Sequence, residues 1–282
     1  MMRTLLATAL AGLLLSPAQG VETETWRQSS YEDFAQGKRE RIALRSDGLL
    51  TLSPELKELL DTSADAIWAL AVDSKGNVYT AAPSAESEKL RIFRITPAGK
   101  AEPIAEVDGL ACFALAVDRQ DRVYAGVSPD ARIFRIAGGK AELFTELPAA
   151  YVWAMAFDSK QNLLAATGDK GVIYRMDAAG KPSVYLETEE THVRSLLVGA
   201  GDEVYAGTAP GGLVLRVSPA GEPFVLYQAA REEITSIALT RNHDLYLAAA
   251  GAKRGTRLRP VQTPAPAAPT TPPTPATATT NT

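Results

Sequence analysis

The feature that most limits what this chain can become is a unit of about forty residues that returns along it. Trp68, Phe113, Trp153, Arg194 and Thr235 stand at equivalent points, spaced 45, 40, 41 and 41 residues apart. A second register, Arg94, Arg135, Arg175 and Arg216, is spaced 41, 40 and 41. Two independent registers with one period mark an internal repeat, and a chain of repeats buries its core by stacking like units. In the third copy the unit holds four short β-like runs, Trp153–Phe157, Leu163–Ala166, Val172–Met176 and Val184–Leu186. They are separated by Asp158-Ser159-Lys160-Gln161-Asn162, Gly168-Asp169-Lys170-Gly171 and Asp177-Ala178-Ala179-Gly180. Runs of this length joined by turn residues predict one antiparallel sheet per unit. The fold class is therefore all-β, with each four-stranded unit a blade of a β-propeller.

The first run of each unit says how blades would pack. Ala69 and Ala71 alternate with Leu70 and Val72, Ala114 and Ala116 with Leu115 and Val117, and Ala154 and Ala156 with Met155 and Phe157. Successive strand residues point to opposite faces, so each first strand has a small face and a large one. The large face of one blade can sink into the small face of its neighbour.

Trp68-Ala-Leu-Ala-Val-Asp73 with Gly76-Asn77-Val78-Tyr79, and Phe113-Ala-Leu-Ala-Val-Asp118 with Val123-Tyr124-Ala125-Gly126, carry a resemblance to bacterial exported propellers. The chain resembles the NHL, WD40-like and gluconolactonase-like types over roughly residues 41 to 250. The resemblance concerns architecture. The Gly-His and Trp-Asp pairs of eukaryotic WD40 repeats and the kelch Gly-Gly are absent, so no subfamily is assigned. Gluconolactonase-like propellers bind a divalent metal through Glu, Asn and Asp at the channel. The matching first-strand positions here are mostly Ala, Leu and Val, so no metal or other cofactor is carried over.

Four complete units run from about residue 66 to 229, and a fifth begins at Ile234 and stops after Ala248. Before them, Arg41–Leu44 and Leu49–Leu52 flank Ser46-Asp47-Gly48, a hairpin signal. Ser53–Leu60 reads equally as a fourth strand or as a short capped helix, and residues 31 to 37 give no period. By register, residues 41 to 60 would supply a second, third and fourth strand to the fifth unit, leaving one second strand surplus. A closed five-bladed ring and a part of a larger propeller, seven-bladed in many proteins of these types, both stay open.

The ends differ in kind from the repeat. Residues 1–20 pair Arg3 with an apolar run, Leu5–Leu15, and a small-x-small site at Ala18-Gln19-Gly20, the pattern of a cleavable export signal. Residues 21–40 are an N-terminal leader that opens with the acidic run Val21–Glu24, 41–258 the propeller, and 259–282 a Pro/Thr-rich tail that cannot bury enough apolar surface to offset ordering entropy. The expected location is periplasmic or extracellular. Cys112 is the only cysteine, so no internal disulfide forms, and its neighbours Ala111 and Phe113 make it a buried hydrophobe. The net charge of −4 gives no reason to expect nucleic acid, and no later run is long enough for a transmembrane segment. A monomer is expected.

Asp73, Asp118 and Asp158 recur after the first strand, and Arg94, Arg135, Arg175 and Arg216 recur in the third. A group needed once for catalysis has no reason to appear in every blade. The aspartates therefore read as turn caps, and the arginines as stems packed on neighbouring strands. Function is expected where blades differ, at the end where the chain enters its first strands. Those positions include Asp65, Trp68, Tyr151, Trp153, His192, Arg194, Glu232 and Glu233. Their mix of aromatics and charges suits a glycan or a protein loop. The loop Pro83–Lys89 lies on the same rim, and Lys253-Arg254 with Arg257 forms a basic cluster near the end. No nucleophile or general-base set emerges, so no catalytic residue is assigned. The leading expectation is a non-catalytic binding or scaffold propeller. A lactonase- or lyase-like enzyme and a structural module of a larger protein are the other two.

Overall fold

A computed structural model describes residues 27–54, 57–84, 87 and 89–253. The expected export signal and Pro/Thr tail lie outside the described residues, as do Arg254 and Arg257. Contacts divide the chain into two compact units, one up to residue 58 and one from residue 59 onward.

In the first unit, the segment that gave no period forms a short helix, α1 (Tyr31–Ala35). Its capping box explains it. Ser30 Oγ accepts from the Asp33 N–H at 3.2 Å while Asp33 Oδ2 accepts from the Ser30 N–H at 3.0 Å. Strands β1 (Ile42–Leu44) and β2 (Leu50–Leu52) then pair as the expected hairpin, Ile42 opposite Leu52 and Leu44 opposite Leu50. Gly48 closes the turn with φ +82°, a conformation that costs a side chain but not glycine. Beyond it, residues 53, 54 and 57–60 are neither strand nor helix.

The second unit carries the repeat. Blade one is β3 (Leu70–Val72), β4 (Val78–Pro83), β5 (Lys89–Ile95) and β6 (Ala101–Asp108). Blade two is β7 (Ala111–Val117), β8 (Val123–Ser128), β9 (Arg132–Ala137) and β10 (Lys140–Glu146). Blade three is β11 (Tyr151–Phe157), β12 (Leu163–Gly168), β13 (Val172–Met176) and β14 (Pro182–Glu187). Blade four is β15 (His192–Val198), β16 (Val204–Ala209), β17 (Leu213–Val217) and β18 (Pro223–Gln228). Each is an antiparallel meander, and β19 (Arg231–Leu239) with β20 (Leu245–Lys253) forms a further two-stranded sheet. First strands neighbour one another in order, β3 with β7, β7 with β11, β11 with β15 and β15 with β19.

The blades meet small face to large face. Ala69 and Ala71 share a cluster with Leu115 and Val117, and Ala114 and Ala116 share one with Met155 and Phe157. Ala154 packs with Leu196 and Val198. The second seam is close-packed, so Ala116→Leu is expected to overpack it and cost about 1–3 kcal/mol. The check is a lowered denaturation midpoint.

The repeated aspartates cap turns, as expected. Asp158 Oδ1 accepts from the Lys160 and Asn162 backbone N–H groups at 3.0 and 2.8 Å, and Oδ2 from Asn162 Nδ2 at 2.8 Å. Asp73 and Asp118 repeat the pattern with their own i+2 and i+4 amides. Burial works against the charge of Asp73, yet bonds from Asn77, Tyr79 and Lys75 outweigh it and hold the carboxyl below its usual range. The arginines also serve their own blades. Arg135 bonds Glu142 at 2.7 Å, Arg94 pairs with Glu102, and Arg175 lies 4.2 Å from the Tyr185 ring centroid. Cys112 is buried, which pushes its thiol up to about 12.

Candidate functional site

The repeat position that diverges between blades coincides with a structural irregularity. Pairing of β7 with β8 slips between Cys112 and Ala114, leaving Phe113 as the extra residue. The same slip falls between Val152 and Ala154 at Trp153, between Val193 and Ser195 at Arg194, and between Ile234 and Ser236 at Thr235. A β-bulge frees one residue from the ladder and re-aims its side chain. The residues so freed are the equivalents of Trp68, which lies two residues before the first strand of blade one.

The side chains of Trp68, Phe113, Trp153 and Arg194 meet across blades in one row, while Thr235 Oγ1 donates to the Ala248 carbonyl of its own hairpin. The Trp68 and Phe113 ring centroids are 5.3 Å apart edge to face, and those of Phe113 and Trp153 4.7 Å apart. The Arg194 guanidinium sits 3.7 Å from the Trp153 ring centroid, inside cation–π range. Glu233, from β19, accepts a bond from Arg194 Nε at 2.7 Å and so holds that guanidinium from the other side. Two residues upstream of the bulge a second tier joins. Tyr151 stacks on Trp153 at 4.9 Å with 14° between planes, and His192 stands edge-on to Trp153 at 5.7 Å.

His192 Nδ1 accepts from the Trp153 indole N–H at 3.3 Å and from the Asp169 backbone N–H at 3.4 Å. This network assigns the ring proton to Nε2, which has no hydrogen-bond partner among the described residues. Gly168 makes the contact possible, since a Cβ there would lie 2.3 Å from Trp153 Nε1 and 2.7 Å from His192 Nδ1. Burial first, and then the positive charge of Arg194, hold the imidazole below its usual value. The unfolded chain thus takes up this proton more readily than the folded one. The histidine's contribution to stability is whole above about pH 6.5 and is lost as pH falls below it. His192→Gln is expected to flatten the pH dependence of the denaturation midpoint as pH falls below about 6.5.

Six of the eight positions singled out from the sequence therefore fall in one row: Trp68, Tyr151, Trp153, His192, Arg194 and Glu233. Glu232 does not join it, because it turns to accept from the Ala252 N–H at 3.2 Å on its own hairpin. Asp65 sits beside the row's first ring. With Ser63, Ala64, Ala66, Trp68, Pro83 and Ser84 it lines a cavity of about 230 Å³. Phe113 was missed. Its equivalence to Trp68 and Trp153 was the available signal, obscured by the buried Cys112 next to it.

A larger cleft of about 580 Å³ lies at the opposite end of the strands, between blades one and two. Its ionic side chains serve the fold: Asp73 bonds Asn77 and Tyr79, Asp121 bonds Ser74 and pairs with Lys75, and Arg94 pairs with Glu102. At that end Asp121, Gln161 and Asp202 each accept from a backbone N–H of the preceding blade, at 3.0, 2.9 and 2.7 Å. One end of the stack is thus clasped by a repeated device, and the other carries the residues that differ. Among the described residues no three His, Cys, Asp or Glu side chains cluster closely enough to hold a metal ion. Among them too, no helix is long and apolar enough to cross a membrane.

No family model and no curated protein matches the chain. Solved structures do. A virginiamycin B lyase from Staphylococcus aureus is 20% identical, with a TM-score of 0.56 over 74% of this chain and 70% of that one. A putative gluconolactonase is 16% identical, TM-score 0.52, over 74% and 77%. A chain of a nidogen/laminin complex is 17% identical, TM-score 0.59, over 74% and 80%. At these identities the likeness bears on the fold, and the fold is that of a β-propeller.

Proposed function

We propose that this chain is an exported, non-catalytic binding propeller whose Trp68–Glu233 row takes up a protein or glycan ligand. The observation that carries the reading is the row itself. The four blades contribute Trp68, Phe113, Trp153 and Arg194 at one structural position, the following hairpin adds Glu233 two residues before that position, and Trp68 and Tyr151 remain 49% and 38% exposed. Aromatic faces with a cation and an edge-on imidazole supply stacking and directional hydrogen bonds together, the pairing that polar ligands with apolar faces require. Location in the periplasm or outside the cell is part of the proposal, on the strength of residues 1–20. Fractionation of cells expressing the full chain tests it, and a cytosolic, unprocessed protein opposes it.

For binding, the full chain is screened on glycan and peptide arrays. A ligand set retained by the wild type supports the proposal, and an array on which nothing is retained opposes it.

The second reading is a lyase- or lactonase-like propeller enzyme. It is favoured by the likeness to a virginiamycin B lyase and a putative gluconolactonase, and His192 with its unpartnered Nε2 is the titratable group such chemistry would draw on here. Turnover of virginiamycin B or a gluconolactone by the purified chain, lost in His192→Ala, would decide for it.

A further inference from the structure

In blade three the residue two before the bulge is Tyr151, and its ring covers the face of Trp153. The same repeat position in blade one is Ala66, which has no ring to offer Trp68. The space beside Trp68 is the cavity of about 230 Å³ that Ala66 itself lines. One member of the row therefore lacks the stacking partner that its counterpart has, and the gap is about the size of one six-membered ring with its substituents.

The lining selects what that ring can be. Asp65 has no hydrogen-bond or ionic partner among the described residues and lines the cavity with Trp68. Ser63 and Ser84 add polar atoms, while Ala64 and Pro83 are apolar. An exposed carboxylate beside an indole face matches a ring with C–H groups on one side and hydroxyl donors at its rim. A carboxylate on the ligand would meet Asp65 as a like charge, and a single aromatic wall gives an alkylammonium less than the several walls of a cation cage. An aromatic side chain of a peptide would stack as well, but would leave the carboxylate with at most one donor.

We infer that the cavity beside Trp68 is a subsite for one neutral pyranose ring, stacked on the Trp68 indole with adjacent hydroxyls donating to Asp65. This rests on the reading of the row as a binding face and names the ligand class at its open end. The other end is closed by the Arg194–Glu233 pair, so a longer glycan would start at Trp68 and extend toward the exposed ring of Tyr151.

The test is titration of the full-length, ¹⁵N-labelled chain with methyl pyranosides of glucose, galactose, mannose and N-acetylglucosamine. The reporters are the tryptophan indole N–H resonances, assigned by single Trp-to-Phe replacements. The expected result is a saturating shift of the Trp68 resonance by at least one pyranoside, with a Kd on the order of a few millimolar. Asp65→Asn should weaken it about tenfold, as loss of a charged hydrogen-bond acceptor does. Asp65→Asn is a surface change with no fold contact to lose, and unchanged amide spectra outside the cavity establish that the variant is folded. A shift confined to Trp153 overturns the subsite while supporting the row. A Trp68 shift with N-acetyl-tyrosinamide and none with any pyranoside overturns it in favour of a peptide side chain. Silence of both resonances toward every probe, with arrays still retaining a ligand, overturns the subsite alone; with arrays also silent, the row falls with it.

Discussion

Replacing Trp153 with alanine is expected to lower the stability of the protein by about 3 kcal/mol and to abolish ligand retention. The indole is the hub of the row, touching Phe113, Tyr151, His192 and Arg194 at once. Its loss removes stacking area, strands the Arg194 guanidinium over a void, and takes one of two donors from His192 Nδ1. Trp153→Phe separates these effects. A benzene ring keeps the stack and the cation–π face but cannot donate to His192, so its stability cost is expected near 1 kcal/mol, that of one hydrogen bond. Chemical denaturation of the two variants beside wild type is the measurement, and equal losses in both would mean that stacking does not hold the row.

The second large effect is expected at Gly207 in β16. A Cβ there would lie 2.3 Å from Ser195 Oγ and 2.4 Å from Ile234 Cγ2, both fixed in the interior. Ser195 Oγ also donates to the Ile234 carbonyl at 3.0 Å, which ties blade four to the hairpin that carries Glu233. Gly207→Ala therefore forces β15 and β19 apart, at a cost of about 3 kcal/mol. It should also loosen the Arg194–Glu233 pair, although neither residue is altered. A denaturation midpoint within error of wild type would contradict this packing of the seam.

The blades were legible in the sequence because their signals are periodic and local. Alternation in Trp153–Phe157, the Asp158 turn and the Asp177-Ala178-Ala179-Gly180 turn each announce themselves within a few residues, and each recurs. The small-to-large seam followed from the same alternation, since Ala116 and Phe157 could be matched by register alone. The bulge at Phe113, Trp153, Arg194 and Thr235 could not be read. One extra residue in an apolar strand leaves the composition of the run unchanged and shows only in which partner it lacks. Without the bulge, these positions read as separate divergent residues, and nothing in the sequence says that the side chains of Phe113, Trp153 and Arg194 converge. The capped helix at Tyr31–Ala35 escaped for a different reason: five residues are too few for a helical period, and only the Ser30–Asp33 spacing marked it.

The divergence of one position against a constant background is the core of the functional reading. Evenly spaced groups such as Asp73, Asp118 and Asp158 have identical duties in each blade, and the bonds they make account for them. Where strand pairing imposes no requirement, as at the bulge, the identity of the side chain is free to answer to a ligand. The row combines that freedom with contact between neighbours, which a set of unrelated surface residues would not have.

The account's central claim is that binding belongs to this end of the strands and not to the clasped one. The direct test compares array retention by wild type, by Tyr151→Ser at the row and by Lys75→Ser at the opposite end. Tyr151 contributes an exposed stacking face and Lys75 a solvent-facing cation paired with Asp121 at 3.3 Å, so both variants should fold. Ligands held by wild type are predicted to be held by Lys75→Ser and lost by Tyr151→Ser. Retention by Tyr151→Ser with loss in Lys75→Ser would place the binding face at the other end of the propeller and contradict the account.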